Sequence, residues 1–132
     1  MPTGLTKEDG WQVAVAKTFP MDIEDVWDFV MSPEAVAIWL GEAVTVPGRG
    51  QPLSTKGGAG TVTMNRTADR LRLAWTATGA DHETTIEVVV SGGADTTSLK
   101  FHQEHMASES ERFTQRDHWT KVLNELEAAL GF

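Results

Sequence analysis

His102 and His105 stand three residues apart in Thr97-Ser-Leu-Lys-Phe-His-Gln-Glu-His105, a stretch that alternates like a strand. That spacing puts them on opposite faces, so they cannot chelate one metal ion together. His82 and His118 lie far off and have no Cys or His at ligand spacing, and the chain has no cysteine at all. No metal site is expected, and no disulfide or thiol nucleophile. His105 shares its alternation with Phe101 and Gln103. On an inward face its neutral imidazole would hydrogen-bond a ligand or act as a general acid or base. The plainer reading is a rim histidine in contact with water.

The carboxylates offer less. Glu87 and Glu104 alternate with apolar neighbours and point outward, and with Glu83 they form no pair placed on an inner face. No Gly-x-Ser-x-Gly elbow appears, so nucleophilic catalysis has no support. Lys56-Gly-Gly-Ala-Gly60 lacks the strand-then-helix setting of a phosphate-binding loop and reads as a hairpin turn. No cofactor is expected. The aromatic residues carry more weight: there are five Trp and no Tyr. Trp11, Trp39, Trp75 and Trp119 fall on four different elements, where packing into a core is the default and a ligand cage the alternative. Met64 and Met106 would add adaptable surface.

Those residues are positioned by a regular series of elements. Trp11 to Phe19 alternates as a half-buried strand with Trp11, Val13 and Val15 on one face. Asp22 then caps a helix whose stripe is Ile23, Val26, Trp27 and Val30. Ser32 caps a second helix with Pro33 at its first position, and Gly41 ends it soon after Trp39 and Leu40. Val44 and Val46 could begin a strand before Pro47 interrupts it. Short strands follow, turned at Lys56–Gly60, at Thr67-Ala68-Asp69, at Gly79-Ala80-Asp81 and at Gly92-Gly93-Ala94-Asp95. Arg70 to Thr78 puts Leu71, Leu73 and Trp75 on one face, and the next strand aligns Ile86, Val88 and Val90. Ser108 or Ser110 caps a last helix with the stripe Trp119, Val122, Leu123, Leu126, Ala129 and Leu130. Short connections imply an antiparallel meander, and its apolar face needs the last helix to cover it. The fold class is α+β, a curved sheet wrapped around one long helix with two short helices after the first strand.

With 132 residues the chain is one domain, residues 1–132, able to bury roughly two-thirds of its unfolded surface. A net charge of −8 argues against nucleic acid, and Arg66, Arg70 and Arg72 read as a solvated strand face rather than a basic patch. No apolar run approaches a membrane span, and the first residues do not resemble a signal peptide, so no membrane partner and a cytoplasmic location are expected.

Taken in order, several of these segments resemble one family. They are Val26-Trp27, Ser32-Pro33-Glu34 with Trp39, Arg70-Leu-Arg-Leu-Ala-Trp75, the strand Thr97 to His105, and His118-Trp119. From about Trp11 to Leu130 the chain is similar to the START-like helix-grip superfamily, also called SRPBCC. Within it, the chain resembles the branch named after the activator of heat-shock-protein-90 ATPase. The resemblance implies a hollow between sheet and last helix. It also implies one of the superfamily's roles, which include lipid carriage, hormone reception, polyketide cyclisation and co-chaperone action. The leading expectation is binding of a hydrophobic or aromatic small molecule by Trp39, Trp75, Phe101, Gln103, His105 and Trp119. An aromatase/cyclase-type enzyme using His105, Gln103 and Arg116 is the alternative. A chaperone partner ranks third, because the full activators carry a further N-terminal domain.

Overall fold

Hairpin turns, helix caps and period-two alternation resolve into ten elements in the computed structural model, which describes residues 4–6, 10–66 and 69–132. Strands β1 (Leu5–Thr6) and β2 (Gly10–Phe19) precede helices α1 (Ile23–Val30) and α2 (Pro33–Trp39). Strands β3 (Pro52–Thr55), β4 (Gly58–Asn65), β5 (Arg70–Ala77), β6 (Thr84–Gly92) and β7 (Thr97–Met106) form the meander, and α3 (Glu109–Ala129) closes the chain. The turn expected at Thr67-Ala68 lies outside the described residues.

The helix starts are set by side chains that satisfy open backbone N–H groups. Asp22 accepts from the Glu24 amide at 2.7 Å, and Ser32 accepts from Ala35 at 3.3 Å ahead of Pro33. Ser108 rather than Ser110 caps α3, accepting from the Glu111 amide at 3.1 Å. The Glu111 carboxylate reaches back to the Ala107 amide at 2.7 Å, a variant of the capping box. Val44 and Val46 do not form a strand: Pro47 has no N–H to give a ladder, and Gly50 takes φ 86°. Both valines pack against the core from an irregular segment instead.

All strand pairs are antiparallel, in the order β1-β2-β7-β6-β5-β4-β3. The inner face carries Val13, Leu71, Leu73, Trp75, Val88, Leu99 and Phe101, all buried. From α1 and α2 come Val26, Val30 and Val36, and from α3 Val122, Leu123 and Leu126. Burying each such Leu or Phe contributes about 1.5–3 kcal/mol. This is an α+β helix-grip fold.

The outer face differs from a simple solvated surface. Glu87 points outward as expected, yet its side chain is only 5% exposed, because Arg70 and Arg72 lie across it. Arg72 holds one carboxylate oxygen from Nη2 at 2.7 Å and Nε at 3.2 Å, and Arg70 holds the other at 3.2 Å. Burial alone would raise the Glu87 pKa. The Arg72 hydrogen bonds and the charges of Arg72, Arg70 and His102 outweigh it and hold the carboxyl below its ordinary value. Arg66 belongs elsewhere: it forks onto Glu24 of α1 and lies 5.0 Å from the Trp27 ring centre.

Candidate functional site

Three indoles from three elements meet at a hollow of about 220 Å³ between the sheet, α2 and the first half of α3. Trp39 ends α2, Trp75 sits on the inner face of β5, and Trp119 projects from α3. Ile38, Leu40 and Ile86 add aliphatic wall. Each indole is placed by its surroundings. Trp39 donates its ring N–H to the Val30 carbonyl at 2.9 Å, tying α2 back to the end of α1. Trp119 donates to Gln103 at 2.9 Å. Trp75 lies against Gly58, where a β-carbon would stand 2.8 Å from its ring nitrogen, so the glycine leaves room for that edge of the indole.

Gln103 is the polar hub. It is 5% exposed on β7, and its Oε1 accepts both from Trp119 and from Gln115 Nε2, the latter at 2.8 Å. Its own amide donates to Thr84 Oγ1 at 2.9 Å, and the Thr84 hydroxyl donates to the Trp75 carbonyl at 3.4 Å. One amide therefore couples β5, β6 and α3 around the hollow. Among the described residues, no fully buried side-chain N or O atom lacks a partner.

Of the site residues expected from sequence, Trp39, Trp75, Gln103 and Trp119 are brought together at the hollow. Phe101 is fully buried behind it, stacked on Trp119 at 4.7 Å between centroids and tilted against Trp39 at 5.8 Å. It backs the wall rather than lining it.

His105 does not share the face of Phe101 and Gln103. A bulge opposite Gln12 breaks the alternation between β2 and β7, and His105 takes φ 65° to accommodate the extra residue. Its ring turns to the outer face, exposed, with Nδ1 3.1 Å from the Thr85 hydroxyl, and Met106 takes the buried position instead. Arg116 is likewise outside: it is exposed, with its guanidinium 5.6 Å from the ring centre of Phe113. Trp11 packs against the core away from the hollow.

Two polar lining residues, Gln115 and His118, were not among the site residues expected from sequence. On α3, Gln115 stands four residues before Trp119 and three before His118, so the three line one side of the helix towards the hollow. Stepping one turn back from Trp119 would have found Gln115, and a step of three from there His118. His118 sits at the exposed rim with its ring edge-on to Trp119 at 4.7 Å. Partial desolvation there lowers its pKa below the ordinary 6.5, against the pull of Glu125 and with the help of Lys121. The imidazole is therefore neutral at neutral pH. Elsewhere on the surface, His82 of the β5–β6 connection is held between Asp81 and Glu111, with a ring nitrogen 2.8 Å from each carboxylate. The hydrogen bonds to Asp81 and Glu111 raise its pKa, and the pair of contacts fastens that connection to the first turn of α3.

No group of three or more His, Cys, Asp or Glu among the described residues is arranged to hold a metal ion, and no described helix is long and apolar enough to cross a membrane. The hollow has no Asp, Glu, Lys or Arg in its wall. Chemically it offers aromatic and aliphatic walls, one amide engaged by three protein partners and a few further polar side chains.

Solved structures share this fold at low sequence identity. DynU16, described as a putative protein in the dynemicin biosynthetic locus, superposes with a TM-score of 0.75 at 24% identity, covering 91% of this chain and 47% of its own. The chain thus spans about half the length of that relative. CalU16 from Micromonospora echinospora gives 0.72 at 18% identity, covering 87% of this chain and 71% of its own. An HSP90 activator from Plasmodium falciparum gives 0.72 at 15%, covering 91% and 96%. No curated protein sequence matches significantly. The family model described as "Activator of Hsp90 ATPase homolog 1-like protein" matches residues 20–131, and the chain belongs to that family.

Proposed function

We propose that the domain binds a hydrophobic or aromatic small molecule in the hollow between sheet and α3. The observation that carries this is the convergence of Trp39, Trp75 and Trp119 on one volume whose wall holds no charged residue. An aromatase/cyclase-type reaction has less support. Gln103 carries an amide that neither gives up nor takes a proton near neutral pH, and His105 and Arg116 lie outside, so no acid–base pair of those residues converges on the space. A co-chaperone role would fit the family name and the Plasmodium falciparum HSP90 activator. It would favour a contiguous apolar docking patch. The large exposed apolar side chains among the described residues are Phe113 and Phe132, near opposite ends of α3. A cytoplasmic setting belongs to the same proposal.

The test is a titration of the full chain with an environment-sensitive apolar dye, with native mass spectrometry for co-purified ligand. Saturable dye binding is expected in the parent. Trp75→Ala is expected to stay folded, to alter dye affinity, and to cost less than the ~3–5 kcal/mol of a fully packed aromatic, because part of its ring faces the hollow. No dye binding in the parent, with the full core cost in the variant, would make Trp75 ordinary packing and remove the proposal.

A further inference from the structure

We infer that the occupant of the hollow is an uncharged, planar aromatic molecule of one or two fused rings bearing a hydroxyl group; this rests on the ligand-binding reading above. Charge is the first constraint. With no Asp, Glu, Lys or Arg in the wall, an ionised ligand would give up its hydration and meet no counter-charge. His118 does not supply one, since desolvation favours its neutral form. Shape and size follow. Three indoles stand in the wall, and a cavity of roughly 150 Å³ is enough to take benzene, so 220 Å³ suits a ring or a fused pair.

The polar atoms decide the substituent. Gln103 has its acceptor filled, with both Oε1 contacts and one N–H bond to Thr84 made inside the protein. Gln115 gives one amide N–H to Gln103, and its Oε1 makes no hydrogen bond among the described residues. The Trp75 ring N–H also makes none among them, although the residue is only 4% exposed. A buried indole N–H normally finds a partner. The residues lining the hollow therefore hold free hydrogen-bonding capacity of both kinds, an acceptor on α3 and a donor on β5, with the neutral imidazole of His118 beside them. A hydroxyl both donates and accepts, so one such group is matched to this wall in a way that a hydrocarbon or a carboxylate is not.

Isothermal titration calorimetry on the full chain would compare naphthalene, 2-naphthol and 2-naphthoate at neutral pH. The expected order is 2-naphthol about five- to tenfold tighter than naphthalene, with 2-naphthoate weakest. Gln115→Leu should abolish most of the preference for 2-naphthol and keep naphthalene affinity. His118→Phe, at an exposed position where folding is not at stake, should reduce the preference as well. Equal affinities for 2-naphthol and naphthalene in the parent, or a preference unchanged in both variants, would overturn the hydroxyl assignment while leaving the pocket standing. Binding of 2-naphthoate as tight as that of 2-naphthol would overturn the claim of neutrality. If none of the three binds, the ligand-binding reading itself falls, and this inference with it.

Discussion

Replacing Gln103 by Leu tests whether its amide organises the site or merely occupies it. The substitution puts an apolar side chain of similar size on β7 and removes the acceptor shared by Trp119 and Gln115. Gln115 is half-buried and can turn to water, and Thr84 still donates to the Trp75 carbonyl. Trp119 has no such escape, being 1% exposed. An indole N–H stranded there costs about 1–3 kcal/mol, offset in part by about 1 kcal/mol from burying the added apolar carbons. The net loss should be about 0–2 kcal/mol, or a fall of up to roughly 10 °C in Tm for a domain of this size. Urea unfolding of Gln103→Leu, Trp119→Phe and the double variant separates this from lost packing. Phenylalanine has no N–H to strand, so the two changes should be less than additive by about 1–2 kcal/mol. Additivity within about 0.5 kcal/mol would show that the hydrogen bond does not support the site.

Two further outcomes concern pH. His82 is held between Asp81 and Glu111 with a pKa raised above 6.5, so its contribution is complete below that value and is lost as pH rises through the folded-state pKa. The stability difference between the parent and His82→Gln, read from urea midpoints across that range, should shrink towards alkaline pH; a difference that grows would refute the latch. Glu87 behaves in the opposite sense. Its folded pKa lies below 4.5, so its contribution is present above 4.5 and is lost as pH falls through the lowered value. Glu87→Gln should be destabilised at neutral pH and show a shallower acid transition, and matching acid-unfolding curves would count against the ion cluster.

How far the sequence could be read depended on what each residue's neighbours do. Capping at Asp22 and Ser32 and the alternation of Leu71, Leu73 and Trp75 are local signals, and the structure follows them. The bulge that turns His105 outward is a property of two strands in register, and only the pairing of β7 with β2 makes it visible. Glu87 shows a related limit. Its outward direction was legible, but its burial comes from Arg70 and Arg72 on the adjacent strand. At the hollow, tryptophan was an adequate guide at three positions. Gln115 and His118 were missed because polar residues on an amphipathic helix look like its solvent face until the partner surface is known.

The pairing of β2 with β7 also bears on how the domain comes into being. Strands β3 to β7 each lie beside a sequence neighbour and can assemble as successive hairpins, whereas Trp11 must wait for Met106 and Phe19 for Thr97. The bond between Gln12 and His102 joins residues 90 apart, and that between Lys17 and Asn124 joins residues 107 apart. Such closures are slow, because chain entropy is surrendered before the contacts form. During synthesis, β2 and the two short helices leave the ribosome well before β7 and α3 can receive them. Their apolar stripes stay uncovered over that interval, which makes the nascent N-terminal third the stretch of this chain most open to aggregation or to capture by folding factors.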